Sequence, residues 1–134
     1  MSKRRTKGWP YPFREKPWAD VRDFELAVFK DRPDGLYLVE ICESVLASGV
    51  ADQLAVCTSM HDLMVVGRPL PEPDMDVLFV RAPGSLRPPK TNHVLIEYLA
   101  VSGRNTSIER PTHDAVRLFW RFVQEKFGVF SVGS

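Results

Sequence analysis

Proline does most to limit what this chain can fold into, because each one fixes a backbone angle and removes a backbone donor. There are eleven in 134 residues. Nine of them fall in three clusters: Pro10, Pro12 and Pro17; Pro69, Pro71 and Pro73; Pro83, Pro88 and Pro89. The clusters therefore mark connections, and regular elements must lie between them. One core fits this length and two do not. Hydrophobic residues make up 44% of the chain and charged residues 26%, the balance of a globular protein.

The first cluster defines an arm over residues 1–18. It opens with Lys3, Arg4, Arg5 and Lys7 and continues with Trp9, Tyr11, Phe13 and Trp18 interleaved with proline. Such a segment favours extended backbone and has no core of its own. Its aromatics must lie on this domain or on a neighbour. Residues 19–134 read as a single domain.

Two helices are expected first. Asp20 to Lys30 is weakly helical, with Val21, Phe24, Val28 and Phe29 on one side. After the turn Arg32-Pro33-Asp34-Gly35, the residues Leu38, Ile41, Cys42, Val45 and Leu46 recur at helical spacing, and Gly49 is a natural stop. Strand candidates follow at Gln53 to Ser59, Leu63 to Gly67, Val77 to Arg81 and His93 to Val101. The last is almost continuously apolar and suits a strand covered on both faces, with Glu97 as a polar intruder that needs a partner or solvent. Pro111-Thr112 is expected to open a final helix that Thr112 caps, Asp114 favours and Gly128 closes. Its apolar residues, from Ala115 to Phe127 and including Trp120, cover most of its circumference. A partner subunit, the arm or the first two helices could cover its far side. The order predicts an α+β fold: a small, mostly antiparallel sheet of three to four strands with helices packed on it, plus the extended N-terminal arm.

The net charge of +1 conceals a division. Residues 1–17 carry +5, residues 18–80 carry −8 and residues 81–134 carry +4. If folding keeps these blocks apart, copies of the chain can attract one another head to tail; if folding intermixes them, they cannot.

Chemistry is sparse. His61, His93 and His113 are far apart, and no nucleophile elbow, zincin motif or cysteine–histidine spacing is present. An enzyme would need a site assembled from scattered residues such as His61, His93 and Glu97. Cys42 and Cys57 are fifteen apart in apolar runs and read as buried free thiols rather than metal ligands. Glu72, Asp74 and Asp76 form the densest acidic group, in a proline-rich loop that reads as solvated. No metal and no cofactor is expected, and no stretch is long and apolar enough for a membrane span or a signal peptide. The basic arm with Trp9, Tyr11 and Phe13 could bind nucleic acid, and Arg81, Arg87 and Lys90 could extend that patch.

The succession of a leading helix, Val65-Val66-Gly67-Arg68-Pro69-Leu70-Pro71, Val77 to Gly84, Val94 to Ala100 and the helix from Ala115 to Phe127 resembles the tail terminator proteins of long-tailed phages. The resemblance covers roughly residues 36–128 and rests on pattern. It implies a small α+β subunit, without catalytic residues, that forms a ring capping the tail tube and meeting the head connector. Partners would then be copies of the chain itself and other tail or connector proteins. The protein would be assembled in the host cytoplasm and end in the virion. The arm departs from that family and would clasp a neighbouring subunit. The implied partner-binding residues are Lys3, Arg4, Arg5, Lys7, Trp9, Tyr11, Phe13, Arg87, Lys90 and Trp120, with the loop from Gly84 to Asn92 as the docking element. The competing reading is a cytosolic DNA- or RNA-binding accessory protein acting through its arm.

Overall fold

The computed structural model describes residues 8–131. Lys3, Arg4, Arg5 and Lys7 lie outside that range. The elements run α1 (Trp18–Phe29), α2 (Leu36–Leu46), β1 (Leu54–Ser59), β2 (Asp62–Gly67), β3 (Val77–Arg81), β4 (His93–Leu99), β5 (Thr106–Pro111) and α3 (Ala115–Phe127). All five strands pair with their neighbours in chain order and antiparallel, giving an open meander. The α+β architecture is thus as expected, with one more strand than the sequence predicted.

The added strand is β5. Its burial alternates weakly, Ile108 is its one large aliphatic residue, and it stands at the sheet edge. A polar edge strand leaves little hydrophobic periodicity to detect. It also displaces the expected helix start: Pro111 ends β5, a single 3-10 turn spans Thr112–Asp114, and α3 begins at Ala115 with no side-chain cap. The far end of α3 is as expected, with Gly128 in the left-handed region at φ 65°.

The helices cover one face of the sheet. Leu54, Val56, Leu63, Val65, Leu78, Val80, Val94 and Ile96 meet Val21, Phe29, Leu38, Ile41, Val45, Phe119, Phe122 and Val123 in one buried cluster. In α1 the inward positions are Trp18, Val21, Glu25 and Phe29, three or four residues apart. Phe24, expected on that face, is exposed, and Glu25 takes the inner position instead. Gly35 allows the turn into α2 to press on α1, since a Cβ there would stand 2.1 Å from the Phe29 ring. The far side of α3 is flanked by α2, where Trp120 Nε1 donates to Ser44 Oγ at 3.0 Å. Arg117, Arg121 and Glu125 form its exposed strip.

The arm lies on the opposite face. Lys16 N–H donates to the Val56 carbonyl at 2.8 Å, along the outer edge of β1, and Trp18 Nε1 donates to the Leu54 carbonyl at 3.1 Å. Trp9 and Met75 exchange backbone hydrogen bonds of 2.8 and 3.0 Å. Between these anchors, Trp9 and Phe13 pack on Ala55, Cys57, Met64, Val66, Met75, Val77 and Phe79. The aromatic arm therefore closes a second, smaller core on its own domain.

Candidate functional site

Asp62 opens β2 on the arm face and organises the β3–β4 connection. Its carboxylate accepts from Ala82 N–H at 2.7 Å, Ser85 Oγ at 2.8 Å and Arg81 Nη1 at 3.0 Å. Arg81 Nε donates to Glu97 Oε1 at 2.7 Å, and its guanidinium lies 4.1 Å over the Phe79 ring centre. Glu97 Oε2 faces Arg87 Nη2 at 3.3 Å. Tyr37, rising from α2, donates its hydroxyl to the Arg81 carbonyl. Further along, Lys90 N–H donates to Glu109 Oε2 at 2.9 Å and its ammonium lies 3.7 Å from Oε1. Asp62 and Glu97 are thus paired and hydrogen-bonded, which is what makes burying them tolerable. Glu97 has the partner its place in an apolar strand required.

The result is a connection, residues 82–92, pinned at its base and along its side. Between the Ser85 and Arg87 anchors stands Leu86, 88% exposed, the most exposed large hydrophobic residue described. A leucine held between two anchored residues is already set up for a partner, because little loop freedom remains to be lost on binding.

A second feature lies at the other end of the sheet. The β2–β3 connection, β4, its following turn and the end of α3 enclose an open cleft of about 490 Å³. Val66, Met75, Val101, Tyr98 and Phe127 supply its apolar walls, and Arg68, Asp74, Asp76 and Lys126 are its charged lining. Asp76 accepts from the Tyr98 hydroxyl at 2.8 Å and from Val101 N–H at 2.7 Å. Burial, reinforced by the bond to Asp76, pushes the Tyr98 hydroxyl pKa upward. Lys126 stands 4.9 Å over the Tyr98 ring, and Arg68 pairs with Glu15 of the arm. Glu72 and Asp74 are exposed and take no ion-pair partner among the described residues.

The helix-side core holds a third, different feature. Glu25 is fully buried, and among the described residues neither carboxylate oxygen has a hydrogen-bond partner. Burial, reinforced by the negative charge of Asp62, pushes its pKa up to about 8. His61, in the β1–β2 turn, stacks against Phe24 and Phe29, and its Nδ1 is also buried without a partner.

The residues singled out from sequence are scattered over these features. Trp9 and Phe13 are half-buried against the sheet, while Tyr11 is 60% exposed. Trp120 is turned toward α2. Arg87 and Lys90 do sit together in the connection, each beside an acid of β4 or β5. Arg81 is engaged internally rather than extending a basic surface. His61, His93 and Glu97 each have separate surroundings: aromatic rings, the Thr91 carbonyl and two arginines. Cys42 and Cys57 are free and buried, and burial pushes their thiols up to about 12 and about 11.

The sequence reading missed Leu86, Asp62 and Glu25. Leu86 carried a signal, a large apolar residue inside a proline-bounded polar loop. Glu25 carried only its helical spacing from Val21 and Phe29, which its charge masked. Among the described residues no helix is long and apolar enough to cross a membrane. Comparison of the chain with protein-family models, with curated proteins and with solved structures finds no match in any of the three.

Proposed function

We propose that this protein is a structural subunit of a multi-subunit assembly, and within that class a ring-forming tail terminator that joins the tail tube of a long-tailed phage to the head connector. The observation that carries the reading is the braced connection 82–92, which holds Leu86 in water while its own base is locked to Asp62 and Glu97. A stiff loop with an apolar tip and a basic flank is a protein-docking element, since anchors that are already ordered bind without a large entropic cost.

The free edge of β5 narrows how subunits can meet. Thr112 N–H donates inward to the Asn92 carbonyl, so by alternation Ser107, Glu109 and Pro111 present their backbone outward. Pro111 has no N–H to offer, and Glu109 brings charge to the same edge. Such an edge is poorly suited to adding a strand from another chain. Docking through loops and clefts is therefore the route the reading adopts.

Light scattering over a wide concentration range, with and without duplex DNA, tests it. A closed ring of fixed copy number, indifferent to DNA, is the expected result. A monomer at every concentration overturns the reading, and a monomer whose mass rises only with DNA replaces it by nucleic-acid binding through the arm.

A further inference from the structure

The β2–β3 connection (residues 68–76) and the β3–β4 connection (residues 82–92) differ in two respects at once. Because β2, β3 and β4 are antiparallel neighbours, the two connections leave opposite ends of the sheet. They also differ in sign. Residues 68–76 carry three acids against Arg68, whereas residues 82–92 carry Arg87 and Lys90 and no acid. The arginine of the acidic connection is paired with Glu15, leaving Glu72 and Asp74 to face solvent. The cations of the basic connection touch Glu97 and Glu109, yet their side chains remain 66% and 77% exposed. Glu97, at 5% exposure, contributes little to the surface. The division of charge along the chain thus survives folding at these two places.

Shape follows the same division. The basic connection ends in a protruding Leu86, and the acidic connection borders the 490 Å³ cleft walled by Val66, Met75, Tyr98, Val101 and Phe127. A knob and a cleft on opposite ends of one molecule cannot meet within it. Between two molecules they form a heterologous contact, in which each copy offers a different surface to each neighbour.

We propose that the Leu86 loop of one copy of this chain docks in the cleft beside Glu72 and Asp74 of a second copy. The proposal rests on the assembly reading above and names its contact surface. Leu86 meets the apolar wall of the cleft formed by Val66, Met75, Val101 and Phe127, and Arg87 and Lys90 face Glu72 and Asp74 at its border. Burying one leucine supplies roughly 1.5–3 kcal/mol of binding, and the charges set direction and encounter rate more than affinity. Each copy keeps one unused knob and one unused cleft after the first contact, so the array closes into a ring where the rotation per step allows it.

Two variants test the contact without disturbing the fold, because the residues changed are exposed. Leu86→Ser removes the knob, and Glu72→Lys with Asp74→Lys reverses the border. Leu86→Ser is expected to associate about ten-fold to a hundred-fold more weakly than the unaltered chain, the range that loss of one buried leucine implies. The charge reversal is expected to weaken association by setting Arg87 and Lys90 against like charge. The two variants mixed are expected to give a species of two copies and nothing larger, because only the loop of one and the cleft of the other remain intact. Light scattering of each variant and of the mixture reads all three. If the unaltered chain forms rings and the variants still do so at the same concentrations, this contact is wrong and the assembly reading stands. If the mixture stays monomeric while the unaltered chain assembles, the pairing of loop with cleft is likewise overturned. A monomeric unaltered chain overturns both.

Discussion

The two faces of the sheet bury charge in opposite ways. On the arm face, Asp62 and Glu97 share Arg81 between them and draw on Ala82, Ser85 and Arg87 as well. On the helix face, Glu25 is buried with neither oxygen hydrogen-bonded among the described residues, and the charge of Asp62 acts against its ionisation. The first arrangement surrounds its carboxylates with donors and a shared cation; the second avoids the cost of a buried charge by keeping the proton. The larger, more regular core therefore contains the weaker spot, and the smaller core under the arm is electrostatically complete.

The comparison breaks most sharply where packing is deepest. Phe119→Ala in the helix-side core is expected to cost about 3–5 kcal/mol in urea unfolding, because Phe119 is completely buried. Arg81→Ala on the other face is expected to cost about 3 kcal/mol or more, since it leaves Asp62 and Glu97 buried without their shared cation. If Arg81→Ala proves as mild as an exposed substitution, the arm face is not held by its ion network.

Glu25→Gln sharpens the contrast by its pH dependence. The folded-state pKa is raised, from 4.5 to about 8, so the stability tied to the proton is complete below pH 4.5 and is lost as the pH rises through about 8. The Gln variant should therefore gain on the parent across that window, by up to about 1.4 kcal/mol for each pH unit, with little difference near pH 4. Thermal unfolding at several pH values measures it, and a gain independent of pH would mean that Glu25 is not held neutral. Trp9→Ala should have the smallest effect, about 1–2 kcal/mol, because the ring is only half-buried where it meets Phe79 edge-on at 5.7 Å. A tail-less chain starting at Trp18 should lose more than that, having lost Phe13 and the backbone bonds to Val56 and Met75 as well.

What the sequence disclosed follows the same division. The periodic segments were legible: α2 from Leu38, Ile41, Cys42 and Val45, β3 and β4 from apolar runs between prolines, and the end of α3 from Gly128. Strand β5 was not, because an edge strand with one aliphatic residue has almost no pattern. Glu25 was hidden for another reason. Helical spacing places it inward, but a glutamate at that spacing reads as a solvent residue, and only the positions of α2 and the β1–β2 turn show that it has nowhere else to go. Of the candidate site, Arg87 and Lys90 were visible as charges in a stiff loop, whereas their bracing by Asp62 and Glu97 depends on strand register that single residues do not reveal. The arm is legible as an arm from its prolines and aromatics, but the surface those aromatics cover is not. The sheet's second face, formed by residues as distant as Ala55 and Phe79, supplied the answer.

The meander has a consequence for how the chain is made. Every strand pairs with the one just synthesised before it, so the sheet can zip up as it emerges from the ribosome. The arm is the exception. It precedes the sheet in the chain, yet its hydrogen-bonding partners Val56 and Met75 arrive dozens of residues later. Until they do, Met64 and Phe79 lack their cover. The arm thus waits for strands that follow it, and the wait leaves one side of a growing sheet open to any other apolar surface nearby.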